Sequence, residues 1–306
     1  MPDHASRLTR GGRLRAALFL LAALLLMGTA VALHWDDQVR LAWQERQTGP
    51  AVREASIWLP DYRLVHEVSL PGLEQDETSG LTWSPLTGTL FTVTGQNPQL
   101  VELSPGGVIL RRIRLDGFSD PEAVTSLDDG RLAIVDERQR LVAVVQVTPD
   151  TERLHLADAA TYDLGYPDAG NKGFEGLAWD ARASRLMLAK EREPHGLYSL
   201  PFPGDDGAAG ALQPFSGPGL MVRDLSSVAV DPRSGHMLLL SDESRLLLEL
   251  DRQGRPRSYI RLLGGLHGLR RSIHQAEGVA MDDAGRIFVV GEPNLFYVFE
   301  RQGPDR

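Results

Sequence analysis

Cysteine is absent from all 306 residues. With it go disulfides, thiolate metal sites, a cysteine nucleophile and lipid attachment through a lipobox. A metal in this chain would have to be held by oxygen or imidazole. Lysine is nearly absent too: 30 Arg stand against two Lys, Lys172 and Lys190. Formal net charge is −9, and because Arg7, Arg10, Arg13 and Arg15 face only Asp3, the chain beyond residue 33 stands at −12. Phosphate binding needs a basic face, so no nucleic-acid partner is expected. Of the eight histidines, His155, His195, His236, His267 and His274 show no metal spacing. There is no GxSxG elbow and no phosphate-cradling glycine loop.

From Ala16 to Leu33 runs a stretch that is uncharged and almost wholly apolar, directly behind the four arginines. Basic flanks stay cytoplasmic, so the rest of the chain is expected outside the cytoplasmic membrane. A retained single-pass anchor in the cell inner membrane fits the length and the Trp-bearing continuation His34 to Gln47. The alternative is a cleaved signal peptide, for which Ala30-Val31-Ala32 is a small-x-small site, giving a periplasmic or secreted protein. The expected organisation is a basic cytoplasmic segment 1–15, an anchor or signal 16–33, a linker 34–60 and one globular unit 61–301.

That unit is internally periodic. SGLTW (Ser79 to Trp83), EAVTS (Glu122 to Ser126), EGLAW (Glu175 to Trp179), SSVAV (Ser226 to Val230) and EGVAM (Glu277 to Met281) place Gly80, Ala123, Gly176, Ser227 and Gly278 at intervals of 43, 53, 51 and 51 residues. Such spacing suits four-stranded propeller blades. Each segment is followed by turn residues and two more short apolar runs, such as LAIVDE and RLVAVVQV in the second repeat. More polar outer strands follow in most repeats, as in ILRRIRL (Ile109 to Leu115) and RSYIRLL (Arg257 to Leu263). The last repeat lacks one, whereas LVHEVSLPG (Leu64 to Gly72), ahead of the first, has that pattern. The expected fold is therefore all-β: a five-bladed β-propeller closed by an N-terminal outer strand, preceded by one transmembrane or signal helix. Segments 150–172 and 201–219 read as inserted loops.

Inner and second strands of a blade run antiparallel, so the start of one and the end of the other share a face. The first column reads Ser79, Glu122, Glu175, Ser226 and Glu277; the second reads Gln96, Glu137, Glu191, Glu243 and Glu292, 15 to 17 residues later. Where the first column has Ser, an acid stands two residues earlier, at Glu77 and Asp224. Converging carboxylates raise one another's pKa or recruit a cation, and a hard ion taking many oxygen ligands, Ca2+, is the natural partner. Glu122, Glu175 and Glu277 are the candidate ligands. Glutamates at strand ends also cap turns or pair with arginine, as Arg138 and Arg192 could do for Glu137 and Glu191. Both lysines lie in the third repeat beside this face, where a compact cation could contact an anionic ligand group.

NKGFEGLAWD (Asn171 to Asp180), LLLSDESRLLLELDRQG (Leu238 to Gly254) and QAEGVAMDDAGRIFVVGEPNLFYVF (Gln275 to Phe299) resemble the SdiA-regulated family of bacterial propellers, the YjiK-like proteins. The resemblance spans about residues 60 to 300. It implies an N-terminal membrane segment, a five-bladed propeller and a calcium site, and supplies no reaction. Serine at the inner position of repeats one and four means that only Glu122, Glu175 and Glu277 carry over.

Two functions follow as expectations. One is a calcium-bound envelope propeller whose channel mouth meets a small anionic ligand or an envelope protein. The alternative is a metal-dependent hydrolase of a lactone, ester or phosphate ester, with Glu191 or Glu137 as general base and Lys190 holding the anion.

Overall fold

The computed structural model describes residues 35–165, 173–192, 194–202, 210–215 and 220–303, with residues 15, 17–22 and 28 of the leader. The expected membrane segment 16–33 therefore lies largely outside the described residues. Among those described, no helix is long and apolar enough to cross a membrane.

Five sheets form the ring. Strand β1 (Tyr62–Ser69) comes first in the chain. Blade one holds β2 (Thr78–Ser84), β3 (Thr89–Thr94), β4 (Gln99–Leu103) and β5 (Ile109–Asp116), and blade two β6 (Pro121–Ser126), β7 (Leu132–Asp136) and β8 (Leu141–Val145). Two further strands, β9 (Arg153–His155) and β10 (Ala160–Asp163), come from the segment read as an inserted loop. β10 pairs with β8 as the outer strand of blade two, and β9 adds to β5 in parallel. Blade three comprises β11 (Phe174–Asp180), β12 (Arg185–Lys190), β13 (Gly196–Pro201) and β14 (Gln213–Pro214), the last again from a presumed insertion. Blade four comprises β15 (Ser227–Val230), β16 (Met237–Ser241), β17 (Leu246–Leu250) and β18 (Pro256–Arg261). Blade five has β19 (Ala276–Met281), β20 (Ile287–Gly291) and β21 (Leu295–Arg301), and β1 pairs antiparallel with β21 from Tyr62↔Arg301 to Ser69↔Leu295. The closing strand expected from the sequence is thus present, and it covers an edge that would otherwise be unpaired.

The middle strands are apolar throughout rather than alternating because both faces of each blade are buried. In β16, Leu238 and Leu240 pack toward blade five while Met237 and Leu239 pack toward blade three. The remaining blade-to-blade seams are built likewise. At about 25 cal/mol per Å2 of apolar area removed from water, these five seams are the main favourable term in the fold.

The stretch read as a linker is docked on the ring. It carries α1 (Trp35–Gln47), α2 (Pro50–Glu54) and a 3-10 turn at Leu59–Asp61. Leu41 is buried in the seam between blades three and four. The fully buried carboxylate of Glu249 accepts the backbone N–H groups of Ile57 at 2.8 Å and Trp58 at 3.0 Å. Two N–H donors, the Ser258 hydroxyl and His236 satisfy that carboxylate, so its burial is compensated.

Candidate metal centre

The inner strands approach one another too closely for side chains at one position. A Cβ on Gly176 would lie 2.8 Å from Val228 N, and one on Gly278 2.7 Å from the carbonyl carbon of Gly80. The small-residue column is thus a packing requirement of the channel wall. Beside it, antiparallel pairing is interrupted between Pro121 and Ala123, Phe174 and Gly176, and Ala276 and Gly278. The bulged residues are Glu122, Glu175 and Glu277. A bulge leaves its residue out of the ladder and re-aims its side chain, which is how three glutamates come to gather at one mouth.

Their electrostatics reflect that crowding. Burial first, then Asp120, Glu137 and Glu277, pushes the Glu122 carboxyl well above its ordinary range, while the Ser79 hydroxyl pulls it down. Glu175 is raised by burial and then by Glu277, Glu191, Glu122 and Glu137. Glu277 is pushed up to about 8 by burial, with Glu292, Asp242, Asp224 and Glu191 adding to it. Glu292 is pushed up to about 6 by burial, then Glu77 and Asp242. Burial also raises Glu191, whose carboxyl is hydrogen-bonded to Glu175, and Glu137. Two arginines offset part of this charge from the rim: Arg138 meets Asp120 at 3.1 Å and lowers Glu137, and Arg192 meets Glu191 at 2.9 Å and Glu243 at 2.8 Å.

Among the described residues, one acidic set brings ligand oxygens all within 4.8 Å of one another: Asp120, Glu122 and Glu137. Glu175 and Glu277 adjoin this set, coupled to it through their charges. Asp120 is absent from the columns read in the sequence. It stands two residues before Glu122, as Glu77 and Asp224 stand before Ser79 and Ser226, so following that offset through every repeat would have found it. The buried carboxylate of Asp136 holds it in place, accepting N–H groups from Ser119 at 2.6 Å, Asp120 at 3.3 Å and Gln139 at 2.9 Å.

Strand register revises the second column. The residue after the second strand donates its N–H to the loop before the inner strand: Gly95 to Glu77, Glu137 to Asp120, Glu191 to Gly173 and Glu292 to Gln275. In blade four, where β16 ends at Ser241, the equivalent residue is Asp242, one before Glu243, and in blade one it is Gly95, one before Gln96. Asp242 accepts the N–H of Ala276 at 3.4 Å and its carboxyl is raised by burial and Asp224. Glu243 instead turns outward onto Arg192.

The other expected residues fall as follows. Glu77 accepts a hydrogen bond from the Gln96 amide at 3.0 Å and lies close enough to raise Glu292. Asp224 is buried and caps the turn after β16, accepting the Ser241 hydroxyl and the N–H of Glu243. The carboxylate of Glu137 accepts Gly173 N–H at 2.6 Å. Lys190 does not open onto the mouth: its side chain is buried and its ammonium donates to the Arg192 carbonyl. That contact braces the loop between β12 and β13. Lys172 lies outside the described residues.

The serines of the first column do different work. Ser79 Oγ donates to the Glu122 carbonyl at 2.8 Å and Ser226 Oγ to the Ala276 carbonyl at 2.6 Å, each tying its inner strand to that of the next blade.

Compared with known proteins, residues 54–300 match the family described as SdiA-regulated. Similar solved structures include a gluconolactonase from Xanthomonas campestris, at 17% identity over 82% of this chain and 93% of that one, with a TM-score of 0.48. A virginiamycin B lyase from Staphylococcus aureus matches at 10% identity over 78% of this chain and 99% of that one, with a TM-score of 0.47. A nidogen/laminin complex also matches, at 13% identity over 71% and 72% of the two chains and a TM-score of 0.47.

Proposed function

The chain belongs to the SdiA-regulated family, and we propose that its acidic channel mouth holds a hard divalent cation, calcium, and presents it to a small anionic ligand or an envelope protein. The observation that carries this reading is the convergence of Asp120, Glu122 and Glu137 within 4.8 Å, pressed by the raised carboxyls of Glu175 and Glu277. The donors are all oxygen, which suits calcium and offers nothing to a soft metal. Asp120, Glu122 and Glu137 would hold the ion, with Glu175 and Glu277 supplying further negative charge. A bound calcium supplies a positive centre that a ligand carboxylate or phosphate can approach. Support for an envelope location comes from the uncharged run Ala16 to Leu33 behind four arginines.

Calorimetric titration of calcium into the chelator-stripped full chain in detergent tests the reading. We expect saturable binding with a Kd at or below about 1 mM, the range of extracellular calcium modules. Asp120→Asn with Glu122→Gln should weaken it at least about a hundredfold, or roughly 2.7 kcal/mol. No binding at that concentration, or an unchanged affinity in the double variant, overturns it.

The carboxyl pair Glu175–Glu191 favours a second reading. A glutamate whose carboxyl is raised above its ordinary range is, once ionised, the stronger base, and beside a metal it can take a proton from water, the step a hydrolase requires. Lactones, aryl esters and phosphate esters are the substrates to screen. Turnover lost in Glu191→Gln with calcium retained would establish this reading, and absence of turnover would leave the binding module.

A further inference from the structure

The five repeat segments that begin at the acidic mouth end at the opposite mouth of the channel. Their last residues are Trp83, Ser126, Trp179, Val230 and Met281, and all five line a cavity of about 160 Å3. The wall between them is apolar, with contributions such as Leu81, Leu127, Leu177 and Val228. Among the described residues, two enclosed side-chain polar atoms lack a hydrogen-bond partner in the protein, and both belong to this column: Ser126 Oγ and Trp179 Nε1. An enclosed N–H or hydroxyl left unpaired costs about 1–3 kcal/mol. Two in one cavity point to a ligand that satisfies them.

The rim decides the charge of that ligand. Three of its four carboxylates have partners in the protein: Asp180 is held by Arg185 at 2.9 Å, Asp231 by Arg233 at 2.9 Å, and Asp283 accepts the Trp83 indole N–H at 3.2 Å, while Asp128 is exposed at the edge. Arg182 is spent on the carbonyls of Pro232 and Arg233. The acidic rim opposes an anion. The enclosed groups that lack a partner are neutral, one N–H donor and one hydroxyl, so inside the cavity a cation meets a donor and a hydroxyl rather than a carboxylate, and two indole rings from blades one and three stand beside them. Size narrows the choice, since a cavity of about 150 Å3 accommodates one six-membered ring.

We infer that this second mouth is a binding site for a neutral hydroxylated ring of monosaccharide size. A ligand hydroxyl oxygen accepts from Trp179 Nε1–H and another exchanges a hydrogen bond with Ser126 Oγ, while the ring's C–H face lies against tryptophan. The site is independent of the acidic mouth, so it stands or falls separately from calcium binding.

Saturation-transfer NMR on the full chain in detergent provides the test. The probes are methyl β-glucopyranoside, methyl β-galactopyranoside and myo-inositol, with glucuronate as the anion and benzyltrimethylammonium as the cation. At least one neutral ring should show saturable transfer, and Trp179→Phe, which keeps an aromatic ring and removes the N–H, should weaken it about fivefold or more. Ser126→Ala, a smaller change, should weaken it in the same direction, with unchanged melting temperatures showing that each variant is folded. No transfer from any neutral ring, binding of the cation or anion alone, or equal affinity in both variants would overturn the assignment.

Discussion

Blades two, three and five carry glutamate at the position where blades one and four carry serine, and the same backbone site does opposite work in the two sets. In blades two, three and five the residue is the odd one out of a bulge, unpaired by the ladder and aimed at like charges. In blades one and four the hydroxyl donates to a carbonyl of the neighbouring inner strand, and that of Ser79 also eases the Glu122 carboxyl downward. The ring therefore divides its labour by blade: two seams are tightened by hydrogen bonds, and three positions crowd carboxyls whose ionisation lowers stability until a cation answers it. A complete ring of five glutamates would concentrate still more repulsion in one mouth.

The largest effect that would break this comparison is the pH dependence of the metal-free protein. Glu277 is pushed up to about 8 and Glu292 to about 6, both above the ordinary 4.5. In that window the folded chain binds protons that the unfolded chain has released. Stability is then full below about pH 4.5 and falls as pH rises through the folded values, by up to roughly 1.4 kcal/mol per pH unit for each group while it titrates. Thermal unfolding in chelator from about pH 5 to about pH 8 should show this decline. Calcium should oppose it, and Glu277→Gln should flatten it. An unchanged slope in that variant would remove the inner glutamates as its cause.

A smaller effect separates the two acids that follow β16. Asp242→Asn should lower calcium affinity about tenfold, roughly 1.4 kcal/mol, whereas Glu243→Gln, which loses only an exposed pair with Arg192, should stay within about twofold. The reverse order, read by calorimetry, would mean that the strand register does not set which acid faces the mouth.

The smallest effect tests the serines. Ser226→Ala should cost about 1 kcal/mol in thermal unfolding at every pH, from one lost hydrogen bond to a buried carbonyl, and leave calcium affinity within about twofold. A pH-dependent loss would show the serine acting through the acidic mouth after all.

Much of the ring was legible in the sequence because small residues at nearly equal intervals mark strands that must touch. Gly80, Gly176 and Gly278 betray the channel wall before any coordinate does. The closing strand was legible for a related reason, since a blade short of one strand at the end matched a spare strand at the start. The outer strands β10 and β14 were not. They are short and polar, facing solvent on one side, so they carry little periodicity and sit among turn residues like a loop. The strap over residues 35–61 was hidden because its anchors, the buried carboxylate of Glu249 and the seam that takes Leu41, lie well over a hundred residues away along the chain.

By itself the sequence determined the blade count, the order of the inner and middle strands, the acidic columns and the absence of any thiolate ligand, because these depend on residue type and spacing along one chain. Only the tertiary structure decided which acids meet. A shift of one residue at a strand end exchanges Asp242 for Glu243, and a bulge turns Glu122 toward Asp120 and Glu137. Both depend on hydrogen-bond register between strands, which spacing along the chain does not fix. The lysine of blade three illustrates the same point: its rarity was visible in the composition, but only the folded loop shows its ammonium turned onto the Arg192 carbonyl.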